Sequence, residues 1–360
     1  MTSFVVDSNA SRVVFGSGSF SRLPEELERL QCARPLLVST PGRASLGDRA
    51  AELLGDAIGG RFDGAVVHVP EEVAVAARDI AYASRADCLV ALGGGSSIGV
   101  AKAIALTSGL PIVAVPTTYG GSEMTSIWGI TSGARKETGR NPKVQPRVVI
   151  YDPDLTVDLP PRVSAASGMN AIAHCIEALY AIDGNPLSSL AAERGITLLS
   201  NALPEIVANP QSTDASSRAL EGAWLAGVSL GTVQMALHHK LCHTLGGAFD
   251  LPHAATHAVL LPYTTAFNRS AAAGAMATAA KALGGSDAPT ALLDLAKSVG
   301  APLSLQEIGM KESDIDLAAS LAVEREYPNP RPVTRDEIRE LLEAAFRGDA
   351  DYVTDPASAG

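Results

Sequence analysis

The sequence is poor in aromatic residues, which make up 4% of its 360 positions, and it has four cysteines and no basic run. Each scarcity excludes something. Cys32, Cys88, Cys175 and Cys242 form no CxxC pair, so a disulfide framework is not expected and a reducing, cytoplasmic setting suits them. A formal net charge of −11 without clustered Lys or Arg argues against nucleic acid and anionic membrane surfaces as partners. No apolar run reaches the ~18 residues of a membrane span. The opening MTSFVVDSNASRVVFGSGS lacks the basic-then-apolar order of a secretion signal. There is no internal repeat and no low-complexity tract.

What is present reads as two halves. Hydrophobic residues make up 46% and charged residues 19%, a composition that supports a substantial core, and the length favours two domains. RVVF (12–15), PLLVS (35–39), AVVHV (65–69), DCLVALGG (87–94) and PIVAVPTT (111–118) read as strands. Helices are expected near 20–30, 43–57, 72–85 and 97–107. Such alternation calls for a parallel sheet covered by helices. SIWGITS (126–132) and PRVVIY (146–151) read as an antiparallel excursion. From about residue 160, Ala- and Leu-rich helical patterns take over. The expected fold class is therefore α/β plus all-α. A Rossmann-like, parallel-sheet dinucleotide-binding domain over 1–159 precedes an all-helical catalytic domain over 160–347, with the active site in the cleft between them. A polar, mobile tail is expected over 348–360.

Two loops have the chemistry of a phosphate site. In LVALGGGSSIGVAKAIAL (89–106), a buried strand runs through Gly93, Gly94 and Gly95 into a helix that begins near Ser96 and Ser97. Glycines allow close approach of the backbone, and the helix N-terminus favours an anion. The glycines are contiguous, so this is not the GxGxxG fingerprint. PTTYGGSEMT (116–125) follows the next strand and sets Thr117, Thr118, Ser122 and Thr125 around two glycines. Ligands of open α/β sheets bind at the carboxyl ends of strands, and two such loops on neighbouring strands suit a dinucleotide. In VSTPG (38–42), Thr40 and its neighbours carry no acid to repel a 2′-phosphate, so NADPH is expected to be accepted beside NADH.

Five of the seven histidines fall within LHHKLCHTLGGAFDLPHAATH (237–257). His239 and His243 are four apart and share a helix face. Gly246, Gly247 and Pro252 predict a turn and a restart near His253, after which His257 repeats the four-residue step. Upstream, Asn170 and His174 share one face of the SGMNAIAHCIEALYA helix with Glu177 close by. The bland readings are specific too. His68 reads as a satisfied core residue, His238 lies about 100° round its helix from His239, and Glu177 reads as a prop for a helix or a histidine.

GGGS after a strand, PTT-GGSE, DPDLT (152–156), GMNAIAHCIEA and HTLGGAFDLPHAATHAVLLPY (243–263) together resemble the iron-dependent (group III) alcohol dehydrogenases over nearly the whole chain. The resemblance implies that His174, His239 and His253 occupy metal-ligand positions, and that His243 stands beside the substrate as proton donor. Asn170 falls where that family has a metal-binding Asp. With the anion gone these positions are vestigial and no tightly bound metal is expected. FVVDSNASRVVFGSGS, the tyrosine of PTTYGGSEMT, TSGARKETGRNPKVQPRVVIYDPDLT, HHKLCHTLGGAFDLPHAATH and NPRPVT (329–334) resemble one branch more closely, the maleylacetate reductases. That branch reduces the alkene of a small dicarboxylate, maleylacetate, to 3-oxoadipate with NADH or NADPH, and homodimers are common in the family. The resemblance makes His243 and His253 catalytic, and His174, His239, Asn170, Tyr119 and Lys240 substrate contacts. Lys136 matches a lysine that contacts the nicotinamide nucleotide. A metal-dependent alcohol dehydrogenase acting on aldehydes and a non-catalytic nucleotide or metal sensor are the competing readings.

Overall fold

The computed structural model describes residues 11–133 and 135–355. The chain divides between Leu159 and Pro160 into two compact units.

The first unit is built on a six-stranded sheet, all of it parallel. The strands are β1 (Arg12–Phe15), β2 (Pro35–Ser39), β3 (Gly60–Phe62), β4 (Cys88–Gly93), β5 (Ile112–Pro116) and, after a hairpin formed by β6 (Ile127–Ser132) and β7 (Arg135–Arg140), β8 (Val148–Tyr151). Their spatial order is β1-β8-β5-β4-β2-β3. The helices are α1 (Leu23–Arg29), α2 (Ala44–Leu54), α3 (Glu71–Ala83) and α4 (Gly95–Ser108). Every residue of β2, β4 and β5 is buried, as continuous apolar runs require when both faces are covered. Alternation divides them. Leu36, Val38, Leu89 and Ala91 pack with Ala74 and Ala77 of α3 and Ile98 of α4. Leu37, Val90 and Leu92 pack on the other face with Leu23 and Leu27 of α1 and Leu46 of α2.

The strand order places the site. After β2 the chain moves outward to β3, whereas after β4 it moves the other way to β5. The strand order therefore reverses between β2 and β4, and the crevice at their carboxyl ends is where open parallel sheets bind ligands. Ser39 and Thr40 end one of these strands and Gly93 to Gly95 end the other.

Two sequence expectations need correction here. The valine-rich 65–69 segment is not a strand. The strand is Gly60–Phe62, in register with Leu36–Val38, while Val67 is 66% exposed and His68 and Val69 adopt φ values of +62° and +48°. Valine favours a strand only where a neighbouring strand and a packed face exist, and Val66 and Val67 have neither. His68 is therefore a half-buried loop residue whose carbonyl accepts from Thr131 Oγ1 at 2.8 Å, and not a core residue on a strand. PRVVIY likewise does not leave the sheet. It forms β8 between β1 and β5, and the antiparallel excursion is β6 with β7.

The second unit is helical: α5 (Pro161–Leu179), α6 (Pro186–Ala208), α7 (Thr213–Thr232), α8 (Leu237–Phe249), α9 (His253–Phe267), α10 (Ala273–Ala282), α11 (Ala288–Ser298), α12 (Ile315–Val323), α13 (Arg335–Arg347) and α14 (Ala350–Thr354). Helix α5 is the central member, buried almost continuously from Ser164 to Ala178. Glycines let its neighbours come close. A Cβ built on Gly195 of α6 would stand 2.9 Å from Cys175 Sγ on α5 and 3.3 Å from the Gly222 carbonyl on α7. None of the helices among the described residues is long and apolar enough to cross a membrane.

The expected mobile tail is also corrected. Asp349 caps α14 by accepting from the Asp351 N–H, Val353 is fully buried, and Arg269 donates to the Val353 carbonyl. Small polar neighbours hide Tyr352 and Val353, which pack on the helical core. Residues 356–360 lie outside the described residues.

Candidate active site

Both loops of the α/β unit carry hydroxyls ready for a ligand. Gly93 adopts φ +132°, which a side chain would resist, and a Cβ on Gly94 would come within 2.8 Å of Thr118 Oγ1, so the glycine loop lies directly against the second loop. Gly95 opens α4 and Ser96 lies in its first turn. Ser97 Oγ and Thr117 Oγ1 are buried and have no hydrogen-bond partner among the described residues. Such orphans are uncommon, and at a helix N-terminus facing a sheet edge they suit phosphate oxygens.

Ser122 and Thr125 are placed differently from the rest of the expected cofactor set. Their oxygens surround the buried ammonium of Lys102 on α4, at 3.0 Å for Thr125 Oγ1 and 3.3 Å for Ser122 Oγ. Burial pushes the Lys102 pKa down to about 7, with Glu123 opposing and Arg140 adding to the shift. Lys136 lies on β7, and its side chain is outside the described part of the structure. Tyr119 is fully enclosed.

One residue was missed. Asp63, just after β3, accepts from the buried Ser39 hydroxyl and pairs with Arg61 at 2.5 Å, which puts a carboxylate beside the end of β2. With β3 expected at 65–69, no sequence signal brought position 63 next to Ser39.

In the helical unit the histidines gather in layers. Helix α8 ends at Asp250, which takes φ +54°, and α9 restarts with His253 directly after Pro252. That turn brings His253 and His257 back toward α8. The His253 and His257 ring centroids are 4.5 Å apart, those of His239 and His257 5.0 Å, and those of His243 and His253 6.3 Å with nearly parallel rings. His174, on α5, stands 4.9 Å from the His239 ring. His238 and His257 form a fully buried floor, Asn170, His174 and His239 are 3–5% exposed, and His243 and His253 are exposed.

Hydrogen bonds fix the proton positions in the two lower layers. Glu177 Oε2 stands 2.6 Å from His239 Nδ1, so this nitrogen donates and His239 Nε2 is left to accept from His174 Nδ1 at 2.7 Å. The same carboxylate accepts from the Ala236 N–H at 2.8 Å and the His238 N–H at 2.7 Å, closing the N-terminus of α8. On the floor, Thr264 Oγ1 donates to the Leu260 carbonyl at 3.0 Å and therefore accepts from His238 Nδ1 at 2.9 Å. His238 Nε2 then accepts from His257 Nδ1 at 2.9 Å, which leaves His257 Nε2 with a bare lone pair. That nitrogen and Asn170 Oδ1 are buried acceptors without a partner among the described residues. Burial, reinforced by neighbouring histidines, holds His238 and His257 well below the ordinary imidazole pKa, so both are neutral.

Lys240 turns elsewhere. Burial lowers its pKa, and its charged neighbours are Glu324 and Arg325 beyond α12.

These donors fit a metal poorly. Zinc or iron sites of this kind combine imidazoles with a carboxylate, and Asn170 offers only a neutral amide oxygen. The facing nitrogens of His174 and His239 are already hydrogen-bonded at 2.7 Å, closer than ligands spread about one ion at ~2.0–2.1 Å from each. His238, Cys242 and His257 form a second group of possible ligands, with donor atoms within 4.8 Å of one another. There the two imidazoles bond each other, and burial raises the Cys242 thiol well above its ordinary pKa and keeps it protonated.

Known proteins show the same fold. A model described as Iron-containing alcohol dehydrogenase matches residues 10–153, and one described as Fe-containing alcohol dehydrogenase family, C-terminal, matches 164–346. A maleylacetate reductase of Burkholderia cepacia is 52% identical over 348 residues, spanning 97% of this chain and 99% of that protein. Another, from Rhizobium sp. strain MTP-10005, is 48% identical over 348 residues, spanning 97% and 99%. Among solved structures, the maleylacetate reductase of Agrobacterium tumefaciens matches with a TM-score of 0.92 at 46% identity, covering 97% of this chain and 99% of that one. A 1,3-propanediol oxidoreductase matches with a TM-score of 0.90 at 27% identity, covering 96% and 100%.

Proposed function

Because this chain belongs to the family of iron-containing alcohol dehydrogenases, and maleylacetate reductases align with it over nearly its full length, we propose that it reduces maleylacetate to 3-oxoadipate with NADH or NADPH and without a metal. The observation that carries the reading is Asn170. An amide stands where the family binds its metal with a carboxylate, among histidines whose facing nitrogens are bonded to one another.

The labour divides between the units. The α/β unit holds the dinucleotide, with the glycine loop and the Thr117 and Ser97 hydroxyls toward its phosphates. The helical unit holds the dicarboxylate. Maleylacetate conjugates its alkene to a ketone, and a dinucleotide held by the glycine loop would supply hydride at the carbon β to the ketone, leaving the electron pair on the ketone oxygen as an enolate. A proton then adds at the α carbon. The N–H groups of the two lower layers are already used within the cluster, so the donor to that oxygen is an imidazole N–H of the upper layer, His253, held in place by the layers beneath it. His243, exposed at the mouth, is the proton donor, a role worth about 10²–10⁴-fold in such reactions. His253 orients the ketone and carboxylates, His174 does so through Nε2 when that nitrogen is protonated, and Glu177 holds His239 in one tautomer.

The test is NADH oxidation by the purified protein with maleylacetate, before and after exhaustive chelation. The expected result is turnover that survives chelation. Turnover that disappears and returns with zinc or iron overturns the metal-free part. No maleylacetate turnover in either state, with aldehyde reduction on metal addition, favours the alcohol dehydrogenase reading.

A further inference from the structure

Among the described residues of the α/β unit, one fully buried amine, that of Lys102, is left unused by the hydride-transfer reading. Lys102 sits two turns along α4 from the glycine loop and is 1% exposed. Its Nζ lies 2.6 Å from the Ser122 carbonyl, 2.8 Å from the Thr125 carbonyl and 2.8 Å from the Ile127 carbonyl. The Thr125 and Ser122 hydroxyl oxygens complete the shell at 3.0 and 3.3 Å.

All of these oxygens belong to residues 122–127, whereas the lysine belongs to the helix that opens at the other loop. The nearest acid, Glu123, is itself buried and accepts from Tyr151 OH at 2.9 Å, so it is held apart as a separate partner. A neutral amine has two N–H groups. An ammonium has three, and bonds from a charged donor are the stronger ones, so a shell of five oxygens suits the charged form. The arrangement is that of a monovalent cation site whose cation is covalently attached. It bears on the ligand loops directly, because the gripped segment continues back through Thr118, which lies against Gly94.

We propose that Lys102 is a positioning residue for the dinucleotide: its ammonium is a built-in monovalent cation that holds residues 117–127 in the shape that meets the cofactor. This rests on the reading of the α/β unit as dinucleotide-binding. Without the ammonium, the Ser122, Thr125 and Ile127 carbonyls face a void and repel one another, and the Thr125 hydroxyl, which donates to the Ser122 carbonyl at 3.0 Å, still ties part of the segment together. The segment relaxes, and the cost of ordering it again falls on cofactor binding. Tyr119, expected from the resemblance to touch substrate, lies in this segment but is fully enclosed, and the other substrate contacts, in the helical unit, are not touched.

The experiment uses full-length Lys102→Ala protein and NADH as probe, with fluorescence titration for binding and steady-state kinetics for the KM of NADH and of maleylacetate. Each is measured in sodium chloride and in ammonium or methylammonium chloride at equal ionic strength. The expected result is NADH affinity weakened by about tenfold or more, a KM for maleylacetate within about twofold of wild type, and recovery of NADH affinity with ammonium but not with sodium. Rescue by a free cation is a response that a general packing defect does not produce. Unchanged NADH affinity, or weakened affinity that neither ammonium ion restores, overturns the proposal. If Lys102→Ala does not accumulate as folded protein, Lys102→Gln carries the test. Its neutral amide fills the space and is expected to weaken NADH binding in the same direction, and wild-type affinity there overturns the proposal. Wild-type protein that binds no NADH refutes the dinucleotide reading itself and the Lys102 role with it.

Discussion

The Glu177 carboxylate and the His239 imidazole stand 2.6 Å apart in a fully buried contact, and the same carboxylate caps the helix on which His239 rides. One anion therefore sets the position of α8 and the proton on its central histidine. Glu177→Gln retains the shape but replaces one accepting oxygen by a donor that opposes N–H groups. It is expected to cost about 2–4 kcal/mol of stability and to lower kcat. Urea unfolding and steady-state kinetics check this. Combined with His239→Asn, the loss should be smaller than the sum of the two single losses, since both remove the same contact. Strict additivity would separate the two residues.

Asn170→Asp returns an anion to a pocket of imidazoles. The variant is expected to retain zinc or iron through dialysis at least about tenfold better than wild type, one unit of pKa-scale interaction being worth that factor. Metal analysis reads the change, and maleylacetate turnover of the variant should become sensitive to chelators. Equal metal content in the two proteins would sink the idea that the missing carboxylate weakens metal binding at this site.

His238 and His257 make stability depend on pH in a defined direction. Burial and the neighbouring histidines hold their folded pKa values well below the ordinary imidazole value of about 6.5. Below about pH 6.5 the unfolded chain takes up protons that the native state refuses, so stability falls as pH drops through that range and is level above it. Denaturation midpoints at pH 7.5 and 5.5 measure the slope. His257→Asn removes one of the two refused protons and should flatten it, whatever its effect at pH 7.5.

Asp63 stands at Ser39 beside the end of β2, and in the proposed dinucleotide site a carboxylate there would repel a 2′-phosphate. Asp63→Asn leaves Arg61 without that partner and should move the ratio of kcat/KM for NADPH over NADH upward by about tenfold. A ratio that does not move would place the adenosine ribose elsewhere.

The parallel sheet was legible because β2, β4 and β5 are short apolar runs followed by glycine or threonine turns, and the histidine turn because Pro252 and two glycines leave a helix few ways to continue. His174, His239, His243 and His253 were legible from spacing and resemblance together, whereas His238, about 100° round the helix from His239, was read as facing elsewhere and instead bonds His257. The cluster's layering was not legible. Nothing in the chain says that His238 bonds His257 with one ring nitrogen and Thr264 with the other, since that depends on α8 and α9 packing side by side. Lys102 was invisible for the same reason: its acceptors are mostly backbone carbonyls, which every residue has. Val66 and Val67 misled because propensity describes what a residue tolerates, whereas a strand exists only where a neighbour pairs with it.

The close approach of α5, α6 and α7 at Gly195 and Gly222 has an effect on how this protein tolerates change. Cys175, beside His174, backs directly onto Gly195, where even a methyl group would collide with its sulfur. The height at which His174 meets His239 is thus set from behind, by residues with no reactive atoms. A saturation screen scored by turnover should therefore show a second patch of intolerant positions on the far side of α5. Some of those variants would fold and bind NADH normally, yet be slow because one imidazole has been lifted by a fraction of an ångström.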